Sequence, residues 1–373
     1  MKILFITNIP SPYRIEFFNQ LGEFVDLTVV FEAKKAEAIR FDWNVKDIRN
    51  FNAIFLSENK IKERKINFKI FSVINNEKYD FIISTSYAYM TELFAILYLQ
   101  FKKIPYFLEI DGGFVKNESR LLFNLKKRLI SKAEGYFSPS KDSDNYLTNY
   151  YADSQQIFRY PFTSLSRKDL LNNSKNHENS CEFRKNLGVD NDSKVILFVG
   201  RFVDLKGIDV LLNSIVNIKT EKVTVIIVGG EAKDEYINII KNIKNTKVIF
   251  KSFQSKLEIE KYYRIADLFV FPTRQDVWGL VVNEALSFGV PVITTNNCGS
   301  GKEIIKNGIN GYLIENENVN ELTQRIDSFF SLSSGDRQKM KVNSLLSIKK
   351  YSIENMVEEH LNIFLKKGEK NNV

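Results

Sequence analysis

"KVILFVGRFVDLKGIDVLL", Lys194 to Leu212, decides the fold. Its first part, "KVILFVG", is an apolar run without alternation, which reads as a strand buried on both faces of a parallel sheet. The strand ends at Gly200. Arg201 and Lys206 follow, five positions apart, and Gly207 opens a helix that runs from Ile208 to Ile218. Strand, turn and helix in that order make half of a βαβ unit. Cations at a strand's carboxyl end, beside a helix N-terminus, form an anion site. Arginine can grip a phosphate with two parallel hydrogen bonds, and lysine supplies a point charge. A basic βα turn with no ligand has the same composition, and this stretch alone leaves both readings open.

The same rhythm extends in both directions. Downstream, "VTVIIVGG", "KVIF", "DLFVFP" and "VPVITT" read as strands, with helices near Asp234–Ile243 and over Leu280–Phe288. Upstream, "KILFIT", "LTVVFE", "NAIFLS", "DFIIST", "PYFLEI" and "GYFSPS" read as strands, with helices over Arg14–Leu21, Thr91–Phe101 and Leu121–Ala133. Short apolar runs alternating with amphipathic stretches predict α/β units and parallel sheets. Between the halves, "RKDLLNNSKNHENSCEFRKNLGVDNDSK" (Arg167–Lys194) is polar and Asn-rich, and reads as a linker with a short helix. The expected organisation is a Rossmann-like domain over residues 1–165, a linker over 166–192 and a second Rossmann-like domain over 193–350. Residues 351–373 complete it as a terminal helix that packs on one domain or across both. Its apolar spacing runs through Ile353, Met356, Val357, His360, Leu361 and Phe364. Ligands in such sheets sit beyond the carboxyl ends of the strands, and here also in a cleft between the domains.

A chain of 373 residues is too long for one ordinary core and suits two domains. Its composition, 44% hydrophobic with 30 Phe and 16 Tyr, is that of a folded chain. The net charge of +8 favours anionic partners. Two cysteines, Cys181 and Cys298, cannot make a disulfide framework and point to a reducing compartment. No Cys/His cluster suggests zinc. His177 and His360 lie in polar surroundings and read as surface residues. The opening "MKILFITNIP" has too short an apolar run for a secretory signal. No run approaches the roughly 20 residues of a spanning helix.

"TRQDVWGLVVNEALSFG", Thr273 to Gly289, holds two acids. Asp276 falls in the loop after the strand "DLFVFPT". Glu284 falls in the following helix among Val281, Val282, Ala285 and Leu286, and Gly289 closes that helix as a left-handed cap. A buried carboxylate needs hydroxyl or cationic partners, and sugar or ribose hydroxyls would serve. Gly279 lets a ligand approach the backbone, and the free N–H groups of Leu280 and Val281 face a phosphate. Asp276 as an acid at a helix start, and Glu284 in an internal ion pair, are the competing readings.

Together these stretches resemble the signature of the retaining, nucleotide-sugar-dependent glycosyltransferases of family 4, which have the GT-B fold. The matching residues are Gly200, Arg201, Lys206 and Gly207, then Pro272, then Asp276 to Glu284. "EALSFGVPVITTNNCGSGKEIIKNGINGYLI" (Glu284–Ile314) continues the match, and "SPSKDSDNYL" carries it weakly in the first half. The resemblance implies two Rossmann-like doubly wound domains facing a central cleft. It gives Arg201 and Lys206 the donor's diphosphate, Glu284 the ribose hydroxyls and Asp276 the transferred sugar. Gly200, Gly207, Gly229, Trp278, Gly279, Leu280 and Val281 become the donor-binding candidates. The family normally has glutamate where this chain has Asp276, one methylene shorter. The implied reaction is transfer with retention of configuration to a glycan or lipid-linked glycan acceptor in capsule or O-antigen assembly. No cofactor or metal is implied.

Two first-half stretches bear on the acceptor. "YFLEIDGGF" (Tyr106–Phe114) ends a strand at Asp111, where the family often carries a histidine. Asp111 is read as a hydroxyl ligand, as a helper for the acceptor proton, or as plain Asp-Gly turn chemistry. "TNIPSPYRIEFFNQL" (Thr7–Leu21) replaces a glycine-rich loop with Pro12, Tyr13 and Arg14. Arg14 is read as an anion ligand, or as paired with Glu16 or another acid. Neither Asp142–Asp144 nor Asp190–Asp192 ends a strong apolar strand, and "GVDNDS" reads as a turn, so neither string is read as a metal site. "ENKIKERKINFK" (Glu58–Lys69) and "ESRLLFNLKKRLISK" (Glu118–Lys132) mix cations with apolar residues. The second reads as an amphipathic basic helix for an anionic membrane, or as a solvated helix packed on its sheet. No nucleic-acid recognition motif is present. The expected protein is cytoplasmic, peripheral to the inner face of the cell membrane. A non-catalytic glycosyltransferase-like partner protein and a GT-B nucleotide-sugar epimerase are the alternatives.

Overall fold

The computed structural model describes residues 1–34, 47–58, 65–173 and 180–371. They divide into two compact units. The first joins Met1–Thr163 to Ser352–Val373, and the second is Ser164–Tyr351.

The first unit is a seven-stranded sheet of β1 (Lys2–Thr7), β2 (Asp26–Phe31), β3 (Asn52–Phe55), β4 (Phe81–Ser84), β5 (Phe107–Glu109), β6 (Gly135–Ser138) and β7 (Ile157–Arg159). The order is β3-β2-β1-β4-β5-β6-β7, and every pairing is parallel. The connecting helices are α1 (Pro12–Leu21), α2 (Lys69–Asn76), α3 (Met90–Lys102), α4 (Arg120–Ile130) and α5 (Lys141–Asn149). The period of two along β1 sorts its side chains between the faces. Leu4 and Ile6 join a cluster with Ile70, Ile96, Leu99 and Leu129 from α2, α3 and α4. Phe5 points the other way, edge-on to Phe17 and Phe18 of α1.

The second unit opens with α6 (Arg167–Asn173) and α7 (Ser180–Asn186). Its six-stranded sheet comprises β8 (Lys194–Val199), β9 (Val223–Val228), β10 (Thr246–Lys251), β11 (Leu268–Phe271), β12 (Val292–Thr295) and β13 (Gly311–Ile314). The order is β10-β9-β8-β11-β12-β13, again wholly parallel. Around it lie α8 (Ile208–Val216), α9 (Asp234–Ile240), α10 (Lys256–Ile265), α11 (Leu280–Ser287), α12 (Gly299–Ile304), α13 (Val319–Ser331) and α14 (Ser334–Ile348). The chain then returns to the first unit as α15 (Ile353–Asn371), which packs against α1.

Both sheets are doubly wound, as the α/β reading expects. In each the strand order reverses once, between β1 and β4 and between β8 and β11. The loops leaving those strands diverge there and open a crevice at the carboxyl edge, where such sheets take ligands. Val195–Val199 and Val223–Val228 are buried throughout, which is why they carry no alternation.

Three expectations are corrected. The stretch 166–192 is not a free linker. Its described part carries α6 and α7, and Asn173 donates to the Ser287 hydroxyl at 2.8 Å, tying α6 to α11. Strands β7 and β13 were not foreseen: they are short edge strands of three and four residues, too brief for a periodic signal. His360 is fully buried, not a surface residue. The polar neighbours Glu358 and Glu359 occupy the other side of α15, while the face read from the spacing buries Ile353, Met356, Val357, His360 and Phe364. His177, and residues 59–64 of the basic stretch Glu58–Lys69, lie outside the described residues.

Candidate functional site

Two groups of polar side chains stand at the carboxyl edges of the sheets, one at each reversal of strand order.

At the second sheet, the loop after β8 carries Arg201 and a short turn Asp204–Lys206, and Gly207 then starts α8 in a left-handed conformation at φ 67°. A β-carbon on Gly207 would lie 2.0 Å from the Pro272 carbonyl oxygen, so only glycine lets the two loops approach. Arg201 is exposed and has no carboxylate partner among the described residues. Lys206 has one. Its ammonium lies 2.6 Å from the Asp276 carboxylate, with the two side chains 15% and 20% exposed. Asp276 thus meets Lys206 across the gap between the β8 and β11 loops. Its backbone is pinned as well, bridging to Cys298 and bonded to Asn297 and Gly299 at 3.0 and 3.1 Å.

Glu284, on α11, accepts from the Tyr263 hydroxyl at 3.1 Å and the Ser164 hydroxyl at 3.3 Å. It makes no internal ion pair among the described residues. Burial raises its carboxyl above the usual range, and those two hydroxyls oppose the shift. Each oxygen has one hydroxyl partner and so keeps acceptor capacity for another. Leu280 and Val281 begin α11, where N–H groups have no partner within the helix.

Several donor-binding candidates also hold the fold. Trp278 is buried, its indole donating to Asn283 at 3.0 Å. Gly279 has φ 90°, and a β-carbon there would lie 2.7 Å from Cys298 Sγ, so the protein's own packing requires glycine. Gly229 likewise brings the β9 end within 2.2 Å, β-carbon to oxygen, of the Gly200 carbonyl. Gly289, at φ 71°, caps α11 as expected.

Arg274 was not among the candidates. Its guanidinium is gripped by both Asp209 oxygens at 2.9 and 2.7 Å and bonds Glu317 at 2.8 Å. Its backbone N–H and the Thr273 hydroxyl both donate to the Leu205 carbonyl at 2.8 Å. These bonds tie the Lys206 turn to the Asp276 loop. The signal was the pair Thr273–Arg274 between strand and acid, legible only once Asp209 is known to face it.

At the first sheet, Pro12 is exposed at the first turn of α1, which it suits because it lacks an N–H. Arg14 is buried and bonds Glu109 through one nitrogen and Asp111 through the other. It is therefore not a free anion ligand. Two carboxylates already occupy it, and neither is Glu16, the partner that sequence proximity suggested. The Tyr13 hydroxyl stands 3.4 Å from Asp111. Asp111 sits at the edge, its side chain 35% exposed. Burial raises its carboxyl, Arg14 opposes, and the Glu109 charge adds to the rise. Glu109 is also fully buried, which by itself would raise its carboxyl. Arg14 and His360 override that and hold it at about 2.

Of the acidic strings, Asp144 binds Ser138 and Arg159, and Asp192 pairs with Lys222. Among the described residues no group of three or more His, Cys, Asp or Glu is placed to hold a metal.

Residues 179–345 match the family model for glycosyl transferases group 1. The match falls within the second unit. A glycosyltransferase of Methanocaldococcus jannaschii is 30% identical over 191 residues, 50% of this chain and 48% of that protein. A 41.2 kDa protein in the cps region of Klebsiella pneumoniae is 36% identical over 133 residues, 36% of each chain. The matched part thus spans half or less of these relatives. Among solved structures, Anabaena HepE in complex with UDP and glucose superposes with a TM-score of 0.73 at 16% identity, covering 100% of this chain and 99% of that one. This likeness extends the shared fold to both units.

Proposed function

We propose that this protein is a glycosyltransferase that moves a sugar from a nucleotide-sugar donor, with retention of configuration, to a glycan or lipid-linked glycan acceptor. The observation that carries the reading is the set Arg201, Lys206, Asp276 and Glu284 at the β8/β11 reversal, within the group 1 domain. As the bond between the sugar and the diphosphate breaks, negative charge grows on the leaving phosphate. Arg201, Lys206 and the first N–H groups of α11 are assigned to that charge, and they stabilise it more in the transition state than in the bound donor. Glu284, with hydroxyls already on both oxygens, takes the ribose. Asp276 takes the transferred sugar. The new bond to the acceptor oxygen forms on the face the diphosphate leaves, so no enzyme nucleophile is needed. Asp111 is assigned an acceptor hydroxyl, and its raised carboxyl suits it to share that proton.

Relatives such as the cps-region protein support a setting in surface polysaccharide assembly. Helix α4 supports a membrane-peripheral site of action. Leu121, Leu122 and Leu125 are exposed on it beside Arg120 and Arg128, a composition that suits an anionic bilayer surface. No helix among the described residues is long and apolar enough to cross a membrane.

Calorimetry with a panel of nucleotide-sugars tests the reading. Binding by the wild type that is lost in Glu284→Ala supports it, and no binding to any donor sinks it. Binding without transfer to cell-derived acceptors would favour a non-catalytic partner protein. An altered nucleotide-sugar formed without acceptor would favour an epimerase.

A further inference from the structure

The first unit holds a chain of polar side chains that ends on Asp111, and the reaction above uses its last member alone. It starts on α15, the last helix. His360 stacks on Phe137 with ring centroids 4.3 Å apart and is flanked edge-on by Phe17 and Tyr160. Its Nδ1 lies 2.7 Å from the Met356 carbonyl, which can only accept, so Nδ1 carries a proton. Its Nε2 lies 3.2 Å from Glu109 Oε2, which as a carboxylate can only accept, so this bond needs a proton on Nε2 as well. The other Glu109 oxygen accepts from Arg14, whose second nitrogen donates to Asp111. His360 and Glu109 side chains are 0% exposed and Arg14 is 4% exposed, whereas Asp111 reaches the sheet edge.

Each member is fixed by the one before it. Phe137, Phe17, Tyr160 and the Met356 carbonyl leave the imidazole one orientation. That orientation sets one Glu109 oxygen and leaves the other for Arg14. Arg14 is a rigid planar fork, so its second arm is aimed by where its first is held. The carboxylate it reaches belongs to Asp111, which follows β5 at the carboxyl edge.

We infer that His360 is a positioning residue for the reaction, holding the Asp111 carboxylate in place through Glu109 and Arg14, so that the C-terminal helix is a working part of the first sheet's edge. The inference rests on the role given to Asp111 above. Among the described residues, the charged groups that bear on the imidazole are Glu109 from β5 and, beyond it, Arg14 from α1, and the titratable Tyr160, after β7, packs edge-on to the ring. Without the His360 bond, Glu109 is left to Arg14 alone, and Arg14 shifts toward it and away from Asp111.

The test reads two quantities in the full chain. One is turnover of UDP-glucose, followed as UDP release. The other is the Asp111 carboxyl titration by carbon NMR, assigned by its loss in Asp111→Asn. His360→Leu should lower kcat by about tenfold to a hundredfold, the scale of a small misplacement of a reacting group, with the donor KM unchanged. It should also move the Asp111 titration upward. His360→Gln, whose amide nitrogen can donate to Glu109, should restore both. In the Asp111→Asn background, His360→Leu should add no further loss, because the two act through one group. If His360→Leu does not fold, His360→Asn, whose amide stops short of Glu109, takes its place. An unmoved Asp111 titration, or losses that simply add, overturns the inference alone. Wild-type turnover in Asp111→Asn overturns the role of Asp111 and the catalytic reading of His360 with it.

Discussion

At the edge of the second sheet the charged groups keep free capacity. Arg201 is open to solvent, Lys206 and Asp276 share one partly exposed ion pair, and Glu284 has an acceptor site left on each oxygen. At the edge of the first sheet they face inward, with His360, Glu109 and Arg14 buried and engaged by one another. Both edges carry cations near carboxylates at a reversal of strand order, yet the physics differs. A buried ion pair contributes mainly by not being broken, since its members would otherwise be charges stranded out of water. A partly exposed pair is cheap to open, which suits residues that must exchange partners for a ligand.

The largest effect should come from breaking the inward set. Glu109→Gln leaves Arg14 and His360 without a carboxylate between them, and should destabilise the protein by about 3–5 kcal/mol, measured by urea unfolding. A cost below about 1 kcal/mol would show that the buried set does not behave as a unit. The same carboxyl gives a pH signature. Its folded value is lowered, to about 2 against an ordinary 4.5, so its contribution is in place above about pH 4.5 and is lost as pH falls toward 2. In Glu109→Gln that stretch of the acid-unfolding curve should flatten.

Next comes the open set. Lys206→Ala should lower turnover by about a hundredfold, roughly 2.7 kcal/mol, if its charge serves the leaving phosphate as proposed. Wild-type turnover would remove Lys206 from the diphosphate. Glu284 should show itself in binding. Its carboxyl is raised by burial, so donor affinity should hold above that value and weaken as pH falls through it, earlier than for an ordinary glutamate. Calorimetry across pH that finds no such loss, or finds it at the ordinary value, counts against the ribose assignment.

The smallest expected effect completes the comparison. Asp276→Asn opens the pair with Lys206 and should change stability by less than about 1 kcal/mol, measured by the same urea unfolding. A loss as large as that of Glu109→Gln would mean that the two edges are built alike. Turnover should fall in this variant even though stability holds.

How much of this was legible beforehand varies with the residue. The runs at Lys194–Val199 and Val223–Val228 announce themselves, because a strand buried on both faces has no polar positions to hide it. Gly207 and Gly289 stand at backbone positions that only glycine tolerates easily, and local sequence shows them too. Trp278 and Gly279 also serve the fold. They lie within the motif that carries the resemblance, yet the protein's own packing accounts for both. His360 was misjudged because neighbours along a helix point to different faces. The apolar spacing had already placed it inward, and its acidic neighbours in sequence outweighed that signal.

The two doubly wound sheets, the loops that bear the cations and acids, and the family resemblance are all readable from the order of the residues. These rest on periodicity, glycine geometry and short-range spacing, all local along the chain. Which side chains meet follows from the fold. Arg14 finds Glu109 and Asp111 about a hundred positions away, Lys206 finds Asp276 seventy positions away, and Glu109 finds His360 at a separation of 251. Those distances close because parallel strands bring remote loops to one edge, and no local pattern records which side chain will be waiting there.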